Sequence, residues 1–285
     1  MSFDVRTQLT FQVLRKAIPM ACFVLWAFPI TVRAQRQEDF DQYKLRVDTF
    51  WFYSNPSGSI QGTADVDSTS IDLQKDLGFN TYSTFTGRVD WKFTRKNHFY
   101  VAVSPFYTDR QTTLTRTITF QGQTFDIGLV ARSDLHALLV SPGYQYDIIR
   151  RRRGHLGIGV QVDLFNTSAK ISAAAQIVNG EQLSAVSAQG SLLAPIPALG
   201  PEFRYYVTNS PRVFIQGGVY GMYLFGYGNF VSTADGIGVS LNKHISLNAG
   251  YQLGSRLVVK ESSSANRVGL RLTQQGAIVG AQFSF

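Results

Sequence analysis

Ten ionisable side chains stand where they could line one space. They are Lys44, Arg46 and Asp48; Arg88, Asp90 and Lys92; Asp163; Glu202 and Arg204; and Arg271. Within each cluster they recur at every second position, which in an extended chain puts them on one face. Charges of both signs crowded away from bulk water must pair, because an unpaired one is costly. Such a set forms either the selectivity lining of a pore or a salt-bridged polar core. A second group could carry acid–base chemistry: His98, His136, His155 and His244, with Ser133 and Asp134 just before His136. A relay needs mutual hydrogen-bond reach, and neighbouring strand residues such as Ser133 and Asp134 face opposite ways. Catalysis is therefore not expected. The chain has one cysteine, Cys22, no histidine pair at ligand spacing and no carboxylate-rich calcium loop. No metal or cofactor is expected, and Asp65, Asp67 and Asp72 read as a solvated loop.

The elements that must position these groups are strands. Tyr43, Leu45, Val47, Trp51 and Tyr53 share one parity against Lys44, Arg46 and Asp48. Phe85, Val89, Trp91 and Phe93 alternate with Arg88, Asp90 and Lys92, and the run from Leu156 to Leu164 alternates with Gln161 and Asp163. Composition agrees: of 285 residues 44% are hydrophobic and 13% aromatic, but only 16% are charged, below the usual quarter of a soluble domain. A soluble sandwich alternates in the same way, so the connections must decide. Short turns at 94–97, 150–154, 208–211 and 242–243 intersperse with long stretches at 54–80, 112–131 and 169–198. Short turns at one end and long loops at the other are the habit of membrane barrels. Aromatics gather near strand ends, as at Trp51-Phe52-Tyr53, Trp91 with Phe93, and Tyr205-Tyr206, where amphipathic rings suit a lipid–water boundary.

Both termini carry signals. Arg15-Lys16 precedes an uncharged run from Ala17 to Ile30 and the small-residue exit Val32-Arg33-Ala34, a secretory signal peptide over residues 1–34 that is cleaved before Gln35. The run is too short for a spanning helix. The formal charge is +8; residues 1–34 hold four basic groups and one acidic, so the remainder is near +5. Its basic groups are scattered, and nucleic-acid binding is not expected. Arg150–Arg153, at a turn, reads as facing anionic lipid headgroups. At the other end Val279, Ala281 and Phe283 share the parity of the last residue, Phe285. Val268, Leu270 and Leu272 lie on the opposite parity, which predicts a bulge around Gln274-Gln275-Gly276.

Turns and loops together predict ten strands, near 43–53, 81–93, 98–110, 132–147, 154–168, 199–208, 212–226, 233–242, 244–260 and 267–285, within a range of eight to twelve. The stretch 112–131 reads as a strand hairpin projecting beyond the membrane. The fold class is all-β, a transmembrane antiparallel up-and-down β-barrel occupying residues 35–285. The chain resembles the small bacterial outer-membrane barrels of the OmpA/OmpW-like kind. The resemblance rests on the terminal strand ending in Phe283 and Phe285, the segment Ile71-Asp72-Leu73-Gln74-Lys75-Asp76-Leu77-Gly78-Phe79 and the strand Gly143-Tyr144-Gln145-Tyr146. It implies an outer-membrane location in a Gram-negative bacterium. It also implies contact with outer-membrane lipids including lipopolysaccharide, and recognition of the last strand by the barrel-assembly machinery. A barrel this narrow fills with side chains. The expected function is structural or surface-interacting, without catalysis, with a surface ligand at the extracellular loops. A narrow porin-like passage for small solutes is the alternative, and a lipid or peptide hydrolase ranks below both.

Overall fold

The structure is a computed structural model that describes residues 39–61, 69–174, 176–178, 181–183, 185–224, 228–260 and 269–285. The export signal expected at 1–34, and Asp65, Asp67 and Val268, lie outside the described residues. Ten long strands follow one another around the molecule: β1 (Leu45–Gln61), β2 (Tyr82–Lys92), β3 (Asn97–Thr113), β4 (Val130–Arg151), β5 (Gly154–Ala173), β6 (Val186–Tyr206), β7 (Arg212–Leu224), β8 (Gly228–Ser240), β9 (Ile245–Lys260) and β10 (Gly269–Ser284). Each pairs antiparallel with its sequence neighbours, and β10 returns to β1 in register from Arg46↔Ser284 to Gln61↔Gly269. The sheet closes into a ten-strand antiparallel barrel. Closure pairs the first strand with the last, so neither is an edge strand of the sheet.

Alternation in the sequence becomes the two faces of the wall. Trp51, Phe85, Trp91, Phe99, Ile158, Leu199, Ile237 and Val279 all point outward and are exposed, Phe85 at 74%. Their strand neighbours Phe52, Asp90, Tyr100, Ala198 and Gly238 turn inward. One end carries the tight connections. There the Thr94 hydroxyl accepts from the backbone N–H of Asn97 at 3.1 Å, and the Asn242 side chain accepts from those of His244 and Ile245. Such side-chain bonds replace ladder partners where the strands reverse. The other end carries the long loops.

Three departures from the sequence pattern have physical causes. First, β6 begins at Val186, thirteen residues before the expected start, and β5 runs on to Ala173. Pro195 and Pro197, which read as loop, stand in β6 opposite Leu164 and Val162 of β5. On its other side β6 pairs with β7 only from Leu199 onward, so the free edge above accommodates residues with no N–H to give. Second, β10 has no bulge; its register against β1 is unbroken. Leu272 and Gln282 both face inward, while Arg271 and Val279 both face outward. The parity of apolar residues switches because the interior itself changes from polar to apolar along the axis. The register shift at this level lies on β9, between Gln252 and Ser255. Third, the 112–131 hairpin does not project. Its short strands Ile118–Phe120 and Gln123–Phe125 fold back over the loop end, with Ile118, Phe120 and Phe125 buried.

Candidate functional site: the barrel interior

The turn end is filled by charge. Residues 39–43, just ahead of β1, tuck into the mouth, where the Phe40 N–H donates to the Arg152 carbonyl at 2.9 Å. Asp41 then meets His155 Nδ1 at 3.1 Å, Arg204 Nη1 at 3.4 Å, Lys92 Nζ at 3.7 Å and Arg46 Nη1 at 3.8 Å. Burial opposes ionisation of Asp41, but Lys92, the nearby His155 and Arg204 outweigh it and hold the carboxyl well below the usual carboxylate range. Asp39 pairs with Arg95 at 3.2 Å and Arg150 at 3.4 Å.

A second layer sits on the first. His98 is held between two carboxylates, with Nδ1 3.2 Å from Asp90 and Nε2 3.0 Å from Asp147. The Tyr43 hydroxyl donates to Asp90 at 3.2 Å and lies 3.1 Å from His98 Nδ1. Arg150 donates to Asp147 at 2.8 Å, and Arg46 pairs with Asp48 at 3.3 Å. Higher still, contacts cross the lumen between strands that are not neighbours. Arg88 of β2 reaches Glu202 of β6 at 3.1 Å, Tyr100 of β3 reaches Tyr220 of β7 at 3.3 Å, and Arg204 of β6 reaches Gln282 of β10 at 2.8 Å. Tyr100 lies across the lumen because β4 has glycine opposite it. A Cβ on Gly143 would come within 2.4 Å of the ring. Asp163 takes hydrogen bonds from Ser141 and Gln161 at the top of this layer.

Above Asp163 the lining becomes carbon. Phe52, Phe106, Leu135, Ala137, Phe165, Ile171, Ile196 and Leu272 face inward from the strands. Leu73, Leu77 and Phe79 of the first loop and Phe120 and Phe125 of the second roof them over.

Of the ten groups read as lumen-lining, Arg46, Asp48, Arg88, Asp90, Lys92, Asp163, Glu202 and Arg204 face inward, in the turn-end half. Two expectations are corrected. Lys44 is exposed at the mouth, because the chain breaks its alternation between Tyr43 and Arg46, both buried. Arg271 is exposed because inward positions at its level are apolar. Arg150 does not face headgroups; a register shift between Asp147 and Ile149 turns it inward onto Asp147. Ser133 points inward while Asp134 and His136 lie on the outer face, so these three do not converge. Sequence reasoning missed Asp41, Tyr43, His98, Asp147, Arg150 and His155 as members of the network. For His98 and Asp147 the signal existed, since each shares the parity of an inward neighbour, Tyr100 and Gln145. For Asp41, ahead of the first strand, no periodicity exists to read.

No family model matches the chain, and no curated protein matches it. Solved structures do. The outer membrane protease OmpT from Escherichia coli superposes with a TM-score of 0.54 at 10% identity, covering 87% of this chain and 100% of that one. The fold is that of an outer-membrane barrel. Lower similarity extends to the toluene transporter TbuX of Ralstonia pickettii, with TM-score 0.34, 14% identity and coverage of 86% and 91%. It extends also to Ail, the attachment invasion locus protein of Yersinia pestis, with TM-score 0.28, 11% identity and coverage of 82% and 97%. At such identities the likeness describes the barrel and carries no residue across.

Proposed function

We propose that this chain is an outer-membrane barrel of a Gram-negative bacterium that works without catalysis, as a structural and surface-interaction scaffold whose periplasmic half is sealed. The supporting observation is the set of cross-lumen bonds Arg88–Glu202, Tyr100–Tyr220 and Arg204–Gln282, above a mouth filled by Asp39, Phe40 and Asp41. An apolar outer face around a polar inner one suits lipid on the outside, and tight turns at one end suit the periplasmic side. Residues 1–34 then act as the cleaved export signal. Phe283 and Phe285 offer the assembly machinery an exposed aromatic edge, and lipids including lipopolysaccharide surround the wall. The OmpA/OmpW-like grouping belongs to this proposal, supported by the terminal Phe and the Ile71–Phe79 segment.

The test is planar-bilayer recording of the refolded chain from residue 35. A sealed inner half predicts a quiet baseline at moderate voltage. Stable, reproducible openings whose conductance scales with salt would overturn the sealed reading in favour of narrow solute passage.

A further inference from the structure

Among the described residues the apolar half of the interior leaves a gap. Between the strands and the folded-back hairpin lies a cavity of about 40 Å³, lined by Ile60, Phe106, Phe120, Leu135, Ala137 and Phe165 among others. Most of the surface around it is carbon. Interiors normally close such gaps, because unfilled space forfeits contact with every wall atom.

Three polar residues enter the lining: Thr167, whose hydroxyl donates to the His136 carbonyl at 3.0 Å, Ser191 and Gln121. Gln121, at the tip of the hairpin, has φ of +51°, the left-handed region that non-glycine residues seldom occupy. That conformation carries the tip to the wall of β6 at Gly190, where a Cβ would stand 2.9 Å from Gln121 Nε2 and 3.4 Å from the Phe120 ring. No described residue hydrogen-bonds the Gln121 amide. On the same inner face of β4 as Leu135 and Ala137, the Ser133 hydroxyl is buried with no hydrogen-bond partner among the described residues. A buried hydroxyl without a partner, as on Ser133, is costly in an empty site and useful in an occupied one.

The hairpin's polar bonds run to the first loop, while Ile118, Phe120 and Phe125 pack on the apolar lining of the barrel. The Thr119 N–H donates to Thr69 Oγ1 at 2.7 Å, and the Thr69 hydroxyl donates back to the Thr119 carbonyl at 3.2 Å. Arg116 donates to Asp76 at 2.9 Å and to the Ser70 carbonyl at 2.6 Å. Its contact with the wall at Gly190 is a tip contact. The hairpin therefore has the anatomy of a lid, hinged on one loop and resting on the opposite side.

We propose that this cavity binds a small apolar molecule bearing one hydrogen-bonding group, with the 118–125 hairpin as its lid and the Gln121 amide as its polar contact. The carbon lining takes the body of the ligand, and the amide takes its hydroxyl or carbonyl. An occupant larger than the present space enters by lifting the lid, whose fastening on the first loop stays in place. The inference goes beyond the scaffold reading and does not depend on it; a failed binding test leaves the bilayer recording unaffected.

The test uses the chain from residue 35 in lipid nanodiscs, with 4-(trifluoromethyl)phenol as probe and fluorine NMR as readout. Empty nanodiscs report partition into lipid, which rises in proportion to probe concentration. The expected result is an additional bound resonance that saturates. Ala137→Phe fills the cavity from β4, and Ala169→Leu from β5; either abolishes that resonance. Gln121→Leu weakens binding by about fivefold through loss of the hydrogen bond. Each variant is checked first for a heat-dependent gel shift, so that whichever filling variant folds decides the matter. Uptake matching that of empty nanodiscs overturns the proposal, and so does a saturable resonance that persists in a folded, cavity-filled variant.

Discussion

Asp41 shows how much of this interior depends on a single side chain. Lys92, Arg46, Arg204 and His155 converge on its carboxylate from four strands. Asp41→Asn keeps the volume but leaves Lys92, Arg46 and Arg204 facing one another, and breaking a buried ion cluster from one side costs about 3 kcal/mol. The urea midpoint of the refolded barrel is expected to fall accordingly. Lys44→Ala, three residues away but exposed, is expected to stay within about 0.5 kcal/mol of the parent. Equal midpoints for parent and Asp41→Asn would show that the network tolerates the unpaired charge. The period-two pattern found Arg46, Asp48, Asp90 and Lys92 but chose Lys44 equally. Parity says which way a side chain points and nothing about where the strand begins.

Among the elements, the folded-back hairpin is held by the exposed Arg116 on Asp76. The Arg116 hydrogen bond, aided by the Asp72 backbone N–H, holds the Asp76 carboxyl below its usual range against the opposing effect of burial. A carboxyl whose pKa is lowered on folding stabilises the fold fully above its unfolded value, near 3.9, and loses that contribution as pH falls through its lower folded value. Because Arg116 is 46% exposed, the pair contributes about 0.5 kcal/mol. Arg116→Ala is therefore expected to speed amide exchange in residues 118–125 by about twofold at pH 7. Once pH has fallen through that lower folded value the two proteins are expected to converge. A difference that persists there would mean that Arg116 acts on the hairpin through the Ser70 carbonyl rather than through Asp76. The sequence shows this segment as a hairpin, yet its direction follows from Ile118, Phe120 and Phe125 finding apolar partners inside the barrel.

At the scale of the whole barrel, the ladder that joins β10 to β1 continues through Phe285. The Lys44 N–H donates to the Phe285 carbonyl at 2.7 Å, and the Phe285 N–H donates to the Leu45 carbonyl at 2.8 Å. These are backbone bonds, so Phe285→Ala retains them, while the ring it removes is exposed on the outer face. If the terminal aromatic serves assembly, Phe285→Ala is expected to reduce the amount reaching the outer membrane of an expressing cell several-fold. The unfolding midpoint of the refolded variant should then stay within about 0.5 kcal/mol of the parent. Matched losses in both measurements would place Phe285 in stability and not in assembly.

What the amino-acid sequence determines by itself is the all-β barrel class of the molecule and a division into eight to twelve strands, ten being the count its turns favour. Alternation and turn chemistry act over neighbouring residues, and Trp91, Arg88 or Asn242 carries its meaning locally. Only the tertiary structure decides which inward residues meet. Arg88 and Glu202, or Tyr100 and Tyr220, become partners because closure sets their strands across one narrow lumen. The same holds for the change from charge to carbon above Asp163, which the sequence displays as a parity slip at Leu272. A side chain facing inward is polar or apolar according to what stands opposite it, and strands far apart in the chain supply that.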